Sequence, residues 1–212
     1  MSETGMAAGL RLNLLLAEAG LSPLDVEQAN GFAAYLALLL RWNGRVNLTA
    51  IRDEEGILSR HFVESIACAR ALPAGIETLL DFGSGGGFPG IPIALCRPEI
   101  AVTLAESQGK KAAFLQEAVR VLGVKTRVHA QRAELLGARF DCVTLRAVDR
   151  MGEAVSAASL LVAPGGWLAP MTTGAELEKL KGIAGAGFAW GTPVELPGGE
   201  VRILALGARA VS

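Results

Sequence analysis

Apolar residues recur at helical spacing through the first third of the chain and in short runs through the rest. Between residues 7 and 70 the pattern predicts helix after helix. Leu10, Leu12, Leu14, Leu15 and Leu16 crowd one segment that stops at Gly20. Ser22-Pro23 predicts an N-cap followed by proline in a first turn. The long helix behind it runs to about Trp42, with Phe32, Tyr35, Leu36, Leu39 and Leu40 on its apolar side. Asn43-Gly44 breaks that helix. Asp53 predicts the cap of the next, whose buried side carries Ile57, Leu58, Phe62, Ile66 and Ala69, and Pro73-Ala74-Gly75 ends the region.

After residue 75 the rhythm changes. Strands are predicted at 78–82, 101–105, 126–130, 142–145 and 166–171, and helices at 89–96, 110–122, 155–162 and 176–183. Two late strands, near Val194 and over 201–206, flank Pro197-Gly198-Gly199, which predicts an antiparallel pair. Strands alternating with helices predict an α/β fold: a mostly parallel sheet, antiparallel at its last strand, with helices on both faces.

Composition narrows the class. The chain has 212 residues, 51% hydrophobic and 19% charged, which excludes a disordered chain and allows one real core. No apolar run reaches the roughly 18 residues of a membrane span. The best, FAAYLALLL at 32–40, is followed at once by Arg41. The N-terminus has no basic start ahead of an apolar stretch, so no secretory signal is expected. Cys68, Cys96 and Cys142 lie far apart without CxxC spacing. They fit neither a disulfide framework nor a metal site, and predict buried thiols in a reducing cytoplasm. Net charge is −1, which excludes a generally basic nucleic-acid binder. Residues 97–150 nevertheless hold ten Lys/Arg against six acids. Counts alone read these as solvated faces, though such a patch can meet phosphates.

The candidate chemistry starts at LLDFGSGGGFPG, residues 79–90, with five glycines behind the first predicted strand. In an open α/β sheet, ligands sit at the carboxyl ends of strands. Glycines there let a ligand approach bare backbone. No Lys-Ser/Thr follows Gly90, which argues against a nucleotide triphosphatase. A GxGxxG can be read at Gly85-Gly86-Gly87-Phe88-Pro89-Gly90, which leaves an NAD-binding oxidoreductase open. The alternative phrasing is Asp81-x-Gly83-x-Gly85-x-Gly87. An acid two residues ahead of the first glycine repels a pyrophosphate and suits a cationic amino group. The amino-acid end of S-adenosylmethionine fits it. The second strand ends at Glu106, near the spacing at which a carboxylate binds adenosine ribose hydroxyls. Ala133 and Glu134, after the third strand, suit the lining of an adenine pocket.

A resemblance makes this specific. NLTAIRD at 47–53, RHFVES at 60–65, DFGSGGGFPGIPIAL, ESQGKKAAFLQEA, RAE at 132–134 and LRA at 145–147 occur in the order and spacing of one family. The chain resembles the bacterial 16S rRNA guanine-N7 methyltransferases, the glucose-inhibited division protein B family, from about residue 35 to 206. The resemblance implies a class I S-adenosylmethionine-dependent methyltransferase: a helical cap over residues 1–72 on a Rossmann-like core over 73–212. It implies cofactor contacts at Gly83, Phe88, Glu106, Ala133, Glu134 and Arg146, beside Asp81 and Gly85 of the loop. It puts Asn47, Arg52, His61 and Lys110 toward the substrate. Arg146 is the candidate catalytic residue, able to hold a guanine O6 or a phosphate, or to pair with Asp81 or Asp149. The partner implied is 16S rRNA or the small ribosomal subunit, met by a cytoplasmic monomer.

The residues agree in what is missing. Guanine N7 carries a free lone pair, so its methylation needs no proton removal. No Asn/Asp-Pro-Pro-aromatic motif for exocyclic amines is present, and no cysteine follows proline as in cytosine-C5 enzymes. His61 reads as a hydrogen-bonding group, not an acid or base. Methylation of another RNA base is the nearest alternative. The chain departs from the family at Met171-Thr172-Thr173-Gly174, where a Lys-Gly is usual, and at Phe82, where an aliphatic residue is usual.

Overall fold

The computed structural model describes residues 3–198 and 202–211. Helix α1 spans Glu3–Glu18 and α2 spans Val26–Asn43. The cap of α2 is Asp25, not Ser22. Its carboxylate accepts from the Gln28 N–H at 2.8 Å, and the Gln28 side chain accepts from the Asp25 N–H at 3.3 Å. This reciprocal pair satisfies two orphan donors at once, so it outcompetes a lone serine. Along α1, Leu12, Leu15 and Leu16 are buried whereas Leu10 and Leu14 face solvent.

Asp53 caps the next helix as expected, accepting from the Gly56 N–H at 2.7 Å. The helix is not uniform. A short α3, Glu54–Gly56, widens into a π-helical segment, Ile57–Phe62, before α4, Val63–Ala71. Ile57, Leu58 and Phe62 stay buried. The extra residue per turn presents Arg60 and His61 to the same side of the molecule, a common use of π segments. Apolar spacing cannot distinguish this from an ordinary helix.

The strands are β1 (Thr78–Phe82), β2 (Ala101–Ala105), β3 (Thr126–His129), β4 (Phe140–Arg146), β5 (Val162–Thr173), β6 (Phe188–Trp190), β7 (Val194–Leu196), β8 (Arg202–Leu204) and β9 (Gly207–Arg209). They alternate with α5 (Gly90–Cys96), α6 (Gly109–Leu122), a 3₁₀ turn (Ala133–Leu136), α7 (Met151–Leu161) and α8 (Gly174–Ala184). The order is β3-β2-β1-β4-β5-β8-β7, parallel through β5 and antiparallel beyond. The expected late hairpin is the β7–β8 pair, with Gly199 and Val201 outside the described residues. Strands β6 and β9 were not legible: with three residues each they are too short to carry a period. Strand β5 is longer than expected because Val162 pairs with Phe140 of β4 at its start and Thr172 and Thr173 pair with β8 at its end.

Successive residues of β1 serve opposite faces. Leu79 joins a cluster that runs from Leu12, Leu16, Phe32 and Phe62 through Leu104 and Phe114, so the N-terminal helices and one face of the sheet share a core. Leu80 joins a second cluster with Val143, Leu145, Val155 and Leu168 on the other face. Burial on both faces is what a parallel sheet requires. The first cluster centres on Tyr35, fully buried, stacked on Phe62 at 5.2 Å and tilted against Phe88 at 5.5 Å. Its hydroxyl donates to the Gly86 carbonyl, a tie between α2 and the loop after β1.

Tyr35→Phe keeps the ring and strands that buried carbonyl. It is expected to cost about 1–3 kcal/mol, read as a lower urea midpoint with an unchanged denaturant slope.

Candidate functional site

The carboxyl ends of β1, β2 and β4 lie side by side, with Phe82 opposite Ala105 on one flank and Leu145 on the other. The loops that follow open into one cavity of about 660 Å³, a size typical of small-molecule sites. One end is lined by Gly83, Gly85, Gly86, Glu106, Gln108, Ala133 and Glu134, and the other by Thr49, Ala50, Ile51, Arg60, His61, Arg146 and Arg202, with Phe88 among the lining residues.

The glycines divide into two jobs. Gly83 has φ +72° and lines the cavity, and a side chain there would crowd Val148 at 3.1 Å. Gly90 is not at the cavity. A Cβ on it would fall 2.6 Å from the Asp81 carboxylate and into Leu104, so it lets α5 pack on the strands. The density of glycine in this loop thus serves internal packing as well as a ligand.

Asp81 is corrected by the structure. Its carboxylate is fully buried under the loop, not in the cavity lining. It accepts from the Gly90 N–H at 3.1 Å and from the Thr144 hydroxyl at 3.3 Å. Burial pushes its pKa up to about 6, against those hydrogen bonds, which pull it down. Its place here is that of a clamp holding the loop to the start of α5, and the direct contact with a ligand amino group is not made from this position.

Glu106, at the end of β2, lines the cavity beside the glycine loop. One oxygen accepts from the Gly85 N–H at 2.9 Å, the other from the Gln108 N–H at 2.7 Å. Each carboxylate oxygen has two acceptor sites, so both can still take a hydroxyl from the cavity. Ala133 is buried and Glu134 exposed at the same end.

At the opposite end Arg146 is nine-tenths buried and paired with Glu64 of α4 at 2.6 Å, not with Asp81 or Asp149. Its Nη2 also reaches the Arg60 carbonyl at 3.2 Å and His61 Nδ1 at 2.8 Å, and Nη1 reaches the Ser65 hydroxyl at 3.5 Å. A guanidinium only donates, so Nδ1 of His61 is an acceptor and the ring proton sits on Nε2, 2.6 Å from the Thr49 hydroxyl. Phe88 lies on the His61 ring at 4.7 Å and 5.6 Å from the Arg146 guanidinium. Burial first, then Arg146, Arg60 and Arg202, drive the His61 pKa down to about 3.

Of the other expected substrate residues, Asn47 and Arg52 hydrogen-bond each other at 3.2 Å on the exposed turn beside the cavity and do not line it. Lys110 lies with Arg41, Trp42 and Arg45 at a separate depression, while its neighbour Lys111 reaches the cavity. Thr49, Arg60, Glu64, Lys111 and Arg202 were not expected. Glu64 had a signal: a lone acid inside HFVESIACA demands a buried cation. Arg202 had none, since only the sheet order brings it near.

The family model for rRNA small subunit methyltransferase G matches residues 28–182. The chain is 42% identical to the ribosomal RNA small subunit methyltransferase G of Roseiflexus castenholzii, over 85% of this chain and 83% of that one. It is 42% identical to that of Stenotrophomonas maltophilia, over 93% and 94%. Among solved structures it is similar to a Pyrococcus furiosus methyltransferase, TM-score 0.59 at 14% identity over 68% of this chain and 81% of that one. A Pyrococcus horikoshii protein in complex with MeSAdo has TM-score 0.56 at 16% identity, over 70% and 63%. These two likenesses establish the class I methyltransferase fold.

Two outcomes follow from the titrating groups. Asp81 holds its proton more tightly folded than unfolded, so its contribution to stability is full below the unfolded value of 3.8 and is lost as pH rises through about 6. Asp81→Asn removes that titration, so the loss of stability that Asp81 causes between pH 5 and pH 7.5 should be absent from the variant's melting temperatures, while one of the two donors to the carboxylate loses its acceptor. His61 is the opposite case: its stability contribution is present above 6.5 and lost as pH falls toward 3. Ring ¹⁵N shifts of His61 should therefore show a neutral Nε2–H ring from pH 8 down to pH 5, with no midpoint near 6.5.

Proposed function

The chain belongs to the rRNA small subunit methyltransferase G family, and from that premise we propose that it methylates N7 of a guanine in 16S rRNA, using S-adenosylmethionine. The observation that carries the reaction type is the two-ended cavity. One end offers bare backbone and a carboxylate; at the other, arginines supply fixed hydrogen-bond donors and the histidine is held by hydrogen bonds on both ring nitrogens.

The residues present fit the cofactor. Gly83 and Gly85 bring backbone to the cavity wall, where a Cβ at Gly83 would crowd it. Glu106 is placed to accept from a ribose diol, with Ala133 and Glu134 beside the space for an adenine. When bound, S-adenosylmethionine supplies an electrophilic methyl on a sulfonium. Everything else falls to positioning: holding the base so that its N7 lone pair lies in line with the sulfur–methyl bond. His61, neutral and hydrogen-bonded on both ring nitrogens, takes no part in proton transfer. Arg146, anchored by Glu64, keeps a fixed positive charge at the base end of the cavity. Lys111, Arg132 and Arg150 at the cavity, with Asn47 and Arg52 on the turn beside it, suit the phosphates that flank a base. The residues 1–72 act in this reading as a cap that completes the substrate end. Action as a monomer in the cytoplasm, on free rRNA or on the small subunit, belongs to the same proposal. The three free cysteines suit the reducing compartment in which that RNA is found. The NAD-binding alternative lapses with the family assignment.

Purified protein, methyl-labelled S-adenosylmethionine and small subunits or 16S rRNA lacking the modification are expected to give label at one guanine N7, and label at another base or none overturns the reading. Gly83→Asp is expected to abolish cofactor binding by calorimetry, while unchanged affinity would remove the loop from the cofactor.

A further inference from the structure

Thr49 sits at the cap end of the cavity, and its hydroxyl is fully specified. The Ile51 N–H donates to Thr49 Oγ1 at 3.1 Å. The His61 Nε2–H donates to the same oxygen at 2.6 Å, because Arg146 fixes the other ring nitrogen as an acceptor. A hydroxyl has two acceptor sites and one hydrogen, so with both sites filled it can only donate. Side chains that rotate to donate or accept as needed cannot discriminate between partners; this one can. The orientation is inherited from charge. Glu64 holds Arg146, Arg146 holds His61, and His61 holds Thr49, so the polarity of a buried ion pair is carried to the cavity wall.

We propose that the Thr49 hydroxyl is the residue that selects guanine over adenine, by donating to O6 of the target base. This rests on the reading of the cavity as a guanine-N7 methyltransferase site. The Hoogsteen edge of guanine presents two acceptors, N7 and O6, whereas adenine presents N7 and an N6 amino donor. A one-way donor beside O6 attracts guanine and sets donor against donor for adenine, while N7 stays free for the methyl. Both purines have an N7 lone pair, so reactivity alone does not separate them, and a device of this kind is needed. Ala50 and Ile51, next in the chain, line the same cavity and add no side-chain donor or acceptor to it.

The test uses RNA assembled with the target guanine replaced by 2-aminopurine, which keeps N7 and lacks O6. The wild-type enzyme is expected to lose at least about tenfold in kcat/KM on this substrate, the worth of one good hydrogen bond. Thr49→Val should lose a similar factor on guanine and little more on 2-aminopurine, and should accept adenine better relative to guanine. Thr49→Ser should restore the wild-type pattern. Equal rates of the wild type on guanine and 2-aminopurine, or equal losses of Thr49→Val on both, overturn the proposal and leave Thr49 a structural link. A tenfold weaker affinity of Thr49→Val for S-adenosylmethionine also overturns it, by placing the hydroxyl on the cofactor. If the wild type methylates no guanine at all, it is the functional reading that fails, and the two failures are distinct.

Discussion

The pair between Glu64 and Arg146 governs the arrangement of this molecule. It joins residues 82 positions apart by number, one from a cap helix and one from the end of a central strand, with side chains 4% and 7% exposed. Two charges so far out of water persist only when matched to each other and to further hydrogen bonds. Here the surroundings supply them: the Arg60 carbonyl, Ser65 and His61 around the guanidinium, and Arg202 from β8 at 3.4 Å on the second carboxylate oxygen. Breaking such a pair costs about 3–5 kcal/mol because the survivor is left charged and buried. A well-packed apolar pair would give equal or greater stability, so the ions have to be explained by what they orient.

What they orient is the boundary between the helical segment and the sheet. The π turn exists at the residues that reach Arg146 and Thr49, and it turns Arg60 and His61 inward while Ile57, Leu58 and Phe62 stay in the core. Tyr35 ties α2 to the Gly86 carbonyl, and the Asp81 carboxylate ties the same loop to α5. The glycine loop is therefore held from both sides by polar groups in an apolar core, with its remaining open face toward the cavity. Asp81 is ionised there against its burial, which is a cost in stability spent on loop position.

Much of this was legible in the residues, and the failures have physical causes. The five parallel strands read correctly because buried parallel strands are short, apolar and separated by breakers. The glycine loop and Glu106 could be picked out as neighbours at one cavity because strand ends in an open α/β sheet converge there. Asp81 was misplaced for an instructive reason: its charge suited the expected ligand, but a carboxylate under a glycine-rich turn has backbone donors much nearer. The ion-pair alternative for Arg146 names Asp81 or Asp149, and the partner that folding delivers, Glu64 of α4, is not visible from the sequence around it. The π turn, β6 and β9 leave no periodic trace, since one needs a single inserted residue and the others only three residues each. Thr49 lies inside NLTAIRD without standing out there, because a threonine has no visible polarity until its two donors are known.

The absence of a general base is then a consequence of the same architecture. His61 is the titratable group best placed to act on a bound base, and three arginines together with burial hold it neutral. Both of its nitrogens are occupied, so it can neither take a proton from a substrate nor give one. For an exocyclic amine or a carbon nucleophile that would be a defect, since a proton must leave in those reactions. For a ring nitrogen with a free lone pair it is no defect, since no proton has to leave and the histidine, engaged at both nitrogens, does not compete for one. The buried ion pair that fixes the cap thus also selects the chemistry, by keeping the histidine unprotonated and its neighbours pointing one way.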